Sequence, residues 1–472
     1  MTLLAFLATA PNCQSRAANE PRTLAITQVT IVDPGLGVSR GDMTVIVVGN
    51  RIRQVAASSE VPIPAGAEVL DARGKFLIPG LWDMHVHAFS YSFPDFTAPL
   101  LVANGVTGAR DMGYYVDTAA YWRGEVATGR AVGPRLVVGG RLDGPSNHTA
   151  WVSRAATAAD ARRAVDTLLT AHDGHRRADF IKVYSWLPRD AYFAAAGEVR
   201  SLGATFAGHV PYAVNAMEAS DAGQRSIEHE DDLMRACSSS DAELRASLAD
   251  TARHTPSSEV EFVRAAGRRM TATFDPPRCR ALLARLAANG TWVTPTLVVY
   301  QPYAHAFDSA TTHPELLGYV PRGLQREWRQ RVSHVTPADT AIVAAFFSLP
   351  WTAEMQRAGV HLLAGTDTPL PYVFPGFSLH DELSLLVHAG LSPMQALRTA
   401  TYEPAAYLKA LDSLGTIEQG KVADLVLLDA DPLLDIGNTR RVAAVILNGR
   451  LIGQRERQAL LARARAFARA SR

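Results

Sequence analysis

Apolar and polar positions follow two rhythms along this chain, and the rhythms divide it into regions. Leu24-Ala25-Ile26-Thr27-Gln28-Val29-Thr30-Ile31-Val32 and the stretch from Thr44 to Val55 read as β-strands, with Gly49-Asn50 as a hairpin turn. Strand signals return near the other end, from Ala423 to Asp429 and from Val442 to Gly449. Two β-rich ends around a long middle predict one small domain built from both termini. In the middle, short apolar runs alternate with segments of helical period. A helix begins near Thr157, where Asp160 supports the first turn and Ala161, Val165, Leu168 and Leu169 repeat on one side. Another is capped by Ser392, with Pro393 in its first turn and Met394, Leu397 and Ala400 following.

That alternation predicts parallel strands joined by helical crossovers. Strand ends are expected near His87, Met112, Gly139, Tyr184, His209, His229, Thr296 and Asp367, enough to close a (β/α)8 TIM barrel. The expected fold class is therefore α/β, a barrel at residues 79–411 with a small β-sandwich domain from residues 21–78 and 412–455. Residues 1–20 form a candidate leader, and residues 456–472 a basic helical tail.

Candidate chemistry sits where these runs end. In Phe76-Leu77-Ile78-Pro79-Gly80-Leu81-Trp82-Asp83-Met84-His85-Val86-His87, strand alternation puts His85 and His87 on one face, where both can grip a cation. Lys182, His209, His229 and Asp367 sit in or at the ends of other short apolar runs. In a closed barrel, residues at the C-terminal strand ends meet at one mouth despite wide separation in sequence.

Composition narrows the partners. The 472 residues are 47% hydrophobic with a net charge of +1, which provides a large core and no global field for nucleic acid or an anionic membrane. A small molecule is the expected partner, and a homo-oligomer stays open. Cys13, Cys237 and Cys279 lack the C-x-x-C spacing of a thiolate zinc site, and Cys237 and Cys279 are equally readable as a pair or as free thiols. The apolar run Met1 to Ala10 resembles an export signal without a basic start, so a periplasmic or secreted location is expected, with the cytoplasm as the alternative. No later stretch reaches the roughly 18 apolar residues of a membrane span. No phosphate loop, G-x-S-x-G elbow or dinucleotide fingerprint stands between a strand and a helix.

Further segments carry a resemblance: Gly105-Val106-Thr107-Gly108-Ala109-Arg110-Asp111-Met112-Gly113, Ala364-Gly365-Thr366-Asp367, Pro375 to Leu383, and Gly415-Thr416-Ile417-Glu418-Gln419-Gly420-Lys421-Val422-Ala423-Asp424-Leu425. From about Leu24 to Gly453 the chain resembles the amidohydrolase superfamily, in its imidazolonepropionase-like and Xaa-Pro dipeptidase-like branch.

The resemblance implies that His85, His87 and Asp367 hold one divalent metal ion and that His209 and His229 hold a second. Lys182, carboxylated by carbon dioxide, would bridge the two. Nitrogen and oxygen ligands suit zinc first, with manganese, iron or cobalt also compatible. A hydroxide bridging the metals would attack an amide-type carbonyl, with Asp367 taking and returning the proton. His148 and Tyr212 match positions that steady the carbonyl oxygen or a substrate carboxylate. Arg110 and Asp111 are expected to pair with each other. Arg322 and Arg326 are candidate carboxylate binders that surface placement would also explain.

The expected activity is hydrolysis of a carbon–nitrogen bond, with a dipeptide or N-acyl amino acid as substrate. A cyclic amide or amidine hydrolase, or a deaminase, is the alternative on the same scaffold. A barrel without turnover is the third reading.

Overall fold

The structure, a computed structural model, describes residues 22–147, 150–170, 177–249, 266–305, 313–347 and 351–471. The expected leader and Cys13 therefore lie outside the described residues. The strands in chain order are β1 (Thr23–Asp33), β2 (Val38–Val48), β3 (Arg51–Ala57), β4 (Glu68–Asp71), β5 (Phe76–Pro79), β6 (Leu81–Val86), β7 (Val106–Asp111) and β8 (Arg135–Asp143). They continue as β9 (Ser153–Arg154), β10 (Phe180–Val183), β11 (Phe206–Gly208), β12 (Ser226–Glu228), β13 (Trp292–Thr294), β14 (Leu425–Leu428), β15 (Val442–Leu447) and β16 (Arg450–Ile452).

Both termini build one sheet in the order β16-β15-β14-β5-β1-β2-β3, with β4 added beside β1. Gly49-Asn50 forms the two-residue turn between β2 and β3, as expected. The sheet curls so that this hairpin meets the opposite end of the chain. Ala423 N donates to Asn50 O, and Ile52 N donates to Lys421 O.

Strand alternation divides the residues of this sheet between two cores. Leu425 and Leu427 of β14, Leu77 of β5 and Ile31 of β1 pack with Ile26, Val45 and Ile446 inside the curled sheet. Their neighbours Val426, Leu428, Ile78 and Val32 face the other way and join the barrel core. Burying one such side chain contributes roughly 1.5–3 kcal/mol, so a single alternating pattern binds the two units together.

The second sheet is all parallel, in the order β6-β7-β8-β10-β11-β12-β13. The third barrel strand runs to Asp143, past the end expected near Gly139. The eighth is a segment rather than a regular strand. Val293 bridges to Leu362 on one side and Val86 to Thr368 on the other, so residues 362–368 close the ring between β13 and β6. Asp83 holds this closure from the inside, because its carboxylate accepts from Thr366 N and from Thr366 Oγ1.

Helices clad the ring where the helical period predicts them. The helix Ala158–Leu169 begins in a capping box between Thr157 and Asp160 and buries Ala161, Val165, Leu168 and Leu169. Ser392 and Gln395 form a second capping box at the helix Pro393–Thr399. The basic tail is the helix Gln454–Ala470, which buries Leu460, Ala464 and Ala468. Arg457 in that helix donates to Ala103 O, fastening it beside the helix Ala98–Ala103. Cys237 and Cys279 are joined in a disulfide that links the helices Asp231–Cys237 and Pro276–Asn289, which settles the pairing left open by spacing. Among the described residues, no helix is long and apolar enough to cross a membrane.

Candidate metal centre

At the mouth of the barrel, ligand atoms of His85, His87 and Asp367 all lie within 4.8 Å of one another. Asp367 Oδ1 is 3.3 Å from His85 Nε2 and 3.1 Å from His87 Nε2. Its other oxygen, Oδ2, is 3.6 Å from His229 Nε2. The His229 ring lies 4.8 Å from that of His85 and 5.0 Å from that of His209, so the four imidazoles form one cluster. Lys182 is fully buried on β10 and feels the charges of Glu228 and Asp367.

Local backbone chemistry delivers these side chains. His229 and Asp367 have φ values of 67° and 58°, left-handed conformations that L-residues seldom adopt outside functional sites. Because of that turn, Glu228 and His229 both touch His85, although consecutive strand residues normally face apart. Two glycines allow the close approach. A Cβ at Gly208 would sit 2.1 Å from Val183 O, and one at Gly365 would sit 2.8 Å from His85 Cβ.

Each histidine is also held from behind at Nδ1. His85 Nδ1 is 3.0 Å from Glu228 Oε2, and His229 Nδ1 is 2.6 Å from Thr296 Oγ1. His209 Nδ1 is 2.9 Å from Ser185 Oγ, and His87 Nδ1 is 3.4 Å from Gly113 O. Outer contacts of this kind fix tautomer and orientation in metal-ligating histidines, and here they leave the Nε2 atoms directed inward.

Glu228 is itself pinned by Arg110, whose terminal nitrogen donates to both carboxylate oxygens at 2.8 Å. Arg110 therefore pairs with Glu228, across the barrel, and not with Asp111 as expected. The correction has a simple cause: Asp111 spends its oxygens on Ala88 N and Gly113 N, while the Arg110 guanidinium reaches inward to Met84 O, Ser226, Thr294 and Tyr407.

The donor set fits a divalent cation. His85 Nε2, Asp367 Oδ1 and Lys182 Nζ are buried without a hydrogen-bond partner among the described residues, an arrangement that folding alone leaves unfavourable. Burial pushes the His87 imidazole down to about 4 and that of His229 to about 3, and carries His209 well below its ordinary value. Burial opposes ionisation of Asp367, yet the imidazoles of His85, His87 and His229 hold its carboxyl well below the usual range. Neutral imidazoles at His87, His209 and His229 and an ionised carboxylate at Asp367 are the protonation states that metal binding requires.

The remaining candidates are placed unevenly. Tyr212 follows β11, half-buried between Trp186 and Arg235, with its backbone N–H donated to Ser185 O beside His209. His148 lies outside the described residues. Arg322 and Arg326 are exposed on the helix Arg322–Val332, and Arg322 lines a surface groove with Arg465 and Arg469. Sequence reasoning missed Glu228, Thr296, Ser185 and Arg141. Only Glu228 left a sign, as a charged residue inside the apolar run Ser226-Ile227-Glu228-His229.

The closed parallel barrel thus gathers histidines and one aspartate at the C-terminal ends of its strands, in a cluster that could hold a divalent cation. The amidohydrolase family profile matches residues 329–452, which contain Asp367 and the return into the terminal sheet. Over those residues the chain is similar to the amidohydrolase family.

Among solved structures, a Bifidobacterium longum protein provisionally named a prolidase is 26% identical, with a TM-score of 0.66 over 94% of this chain and 99% of that one. A bottromycin amidohydrolase is 24% identical, with a TM-score of 0.74 over 95% and 91% of the two chains. A Xaa-Pro dipeptidase is 20% identical, with a TM-score of 0.65 over 92% and 100%. The last two likenesses speak to fold alone. Among curated sequences, a dihydroorotase of Pelotomaculum thermopropionicum is 39% identical over 85 residues, a segment that spans 18% of each chain.

Proposed function

We propose that this protein is a binuclear metal-dependent hydrolase that cleaves a carbon–nitrogen bond of amide or peptide type, with a dipeptide or N-acyl amino acid as substrate. One observation carries the reading: buried Nε2, Oδ1 and Nζ atoms without partners converge at the barrel mouth. His85, His87 and Asp367 would hold one cation, and His209 and His229 the other, zinc being the ion best suited to this set. Two such cations, when bound, lower the pKa of water from 15.7 toward about 7 and polarise a carbonyl oxygen.

The chain's own residues supply the rest. A lysine ammonium only donates and repels a cation, so Lys182 must change to serve as the bridge. Burial brings its amine down to about 7, which leaves a neutral nucleophile available at neutral pH. Its nitrogen would bond to the carbon of CO2 and lose a proton to solvent, giving a carbamate that would supply the anionic oxygen ligands the ammonium lacks. Asp367 faces His85 and His87 through one oxygen and His229 through the other, central to the cluster. It takes the proton of the attacking water and returns it to the departing nitrogen as the new carbon–oxygen bond replaces the carbon–nitrogen bond. His148 and Tyr212 are proposed donors to the carbonyl oxygen or to a substrate carboxylate. The Cys237–Cys279 disulfide supports a periplasmic or secreted location.

The test is a panel of dipeptides, N-acyl amino acids, cyclic amides and esters presented to metal-loaded protein. Amide hydrolysis that is lost on chelation and in Asp367→Asn is the expected result, and a panel with no carbon–nitrogen cleavage would overturn the reading. The local likeness to dihydroorotases favours one second reading, hydrolysis of a cyclic amide, which the same panel separates.

A further inference from the structure

We infer that Arg141 is the anion-recognition residue of the barrel mouth, where its guanidinium takes a carboxylate of the substrate and makes the site selective for amides that carry a free acid. The inference rests on the amide-hydrolase reading above and names the residue that sets its substrate class.

Arg141 lies on β8 directly beside Lys182 of β10 in the parallel register of the two strands, so both side chains occupy the inner face. It is 8% exposed. The guanidinium stands 4.9 Å from the centroid of the Tyr184 ring, which covers one of its faces and leaves its in-plane N–H groups to find acceptors. They find few. Nε is buried without a partner among the described residues.

A terminal nitrogen of Arg141 lies 3.3 Å from His87 Nδ1 and 3.5 Å from His87 Nε2, but neither is a usable acceptor once His87 serves the cluster. While Nε2 donates to the ionised Asp367 carboxylate, Nδ1 accepts from Arg141; a cation held at Nε2 would put the ring proton on Nδ1, toward Gly113 O, and two donors would then face each other. The nearest acids are committed elsewhere. Asp111 accepts from Ala88 N and Gly113 N, and Asp143 accepts from Gly144 N, Trp186 N and Asn147 Nδ2.

A guanidinium cannot shed its charge, and its fork of donors matches a carboxylate held by two parallel hydrogen bonds. This fork stands beside His87 and one strand from Lys182, where the acid of a dipeptide or N-acyl amino acid reaches it while the amide meets the cluster. The exposed Arg322 and Arg326 have no such constraint.

The test compares wild type, Arg141→Gln and Arg141→Lys, all metal-loaded, on a panel of N-acetyl amino acids and on the matching N-acetyl amines that lack the carboxylate. Turnover and calorimetric binding are both read, with metal per chain as a control. Wild type is expected to prefer the acids. In Arg141→Gln that preference falls on the order of 100-fold, as for truncation of a buried charge partner, while metal per chain holds. Arg141→Lys, which keeps the charge and loses the fork, falls between.

If wild type cleaves no amide yet binds the acids preferentially, and Arg141→Gln abolishes that preference, the inference stands and the amide-hydrolase reading falls. Equal treatment of acids and amines by wild type, or a preference retained in Arg141→Gln, overturns the inference while leaving amide hydrolysis intact. A loss of metal in Arg141→Gln with the preference unchanged assigns the residue to the Lys182 bridge and also overturns it.

Discussion

The terminal sheet and the barrel mouth both bury polar groups, with opposite outcomes. In the sheet, Asp33 is fully buried and both its oxygens are engaged, Oδ1 by Gly35 N and Leu36 N and Oδ2 by Ile417 N. At the barrel mouth, His85 Nε2, Asp367 Oδ1, Lys182 Nζ and Arg141 Nε are equally shielded from water, and beyond the ion-pair contacts of Asp367 with His85 and His87 they have no hydrogen-bond partner among the described residues. A buried polar atom without a partner costs about 1–3 kcal/mol, so folding completes the first region and leaves the second dependent on what binds there.

The sharpest break in that contrast is a change to the central carboxylate. Asp367→Asn in metal-loaded protein is expected to lower kcat by about 10²–10⁴-fold, the usual contribution of a positioned general acid–base, whereas Asp33→Asn leaves kcat unchanged. Steady-state kinetics on whichever panel substrate is cleaved checks both. Next in size is the support behind His85. Glu228→Gln strands the Arg110 guanidinium in the barrel and is expected to cost about 3–5 kcal/mol of unfolding free energy in urea titrations, against about 1–3 kcal/mol for Asp33→Asn.

Metal removal comes third. Stripping the protein with a chelator and restoring zinc at a free concentration 100 times Kd should return about 2.7 kcal/mol, visible as a rise in Tm. Asp33→Asn should show the same increment, because its region takes no part in binding.

The last effect is in pH. Burial pushes the Glu382 carboxyl up to about 8, so the folded chain keeps a proton that the unfolded chain releases above about 4.5. The stability it contributes is complete below that lower value and is lost as pH rises toward 8. Urea titrations across this window should show a fall in wild type that Glu382→Gln flattens.

Much of this was legible in the letters, and the limits have physical causes. The strand-end cluster could be read because a barrel converts position along each strand into position at one mouth, so bringing His85, His87, His209, His229 and Asp367 together needed only the right count of strands. The alternation that assigns Leu425 and Val426 to different cores was equally local. Cross-barrel partners were not. Arg110 meets Glu228 from a strand that is not its neighbour, and Arg141 stands beside Lys182 only through the register of β8 and β10, which no local pattern specifies. Glu228 and His229 reach the same imidazole only because His229 turns left-handed, a departure that strand alternation would have ruled out. The eighth barrel position was anticipated at Asp367, yet its segment forms isolated bridges on both sides rather than a regular strand.

The most direct measurement is elemental analysis of divalent metal per chain in purified protein, for wild type and for the His209→Ala, His229→Ala double variant. Two ions per chain in wild type and one in the variant are predicted. Wild type that binds none after zinc is supplied, or a count that the double variant leaves unchanged, would contradict a paired-metal mouth.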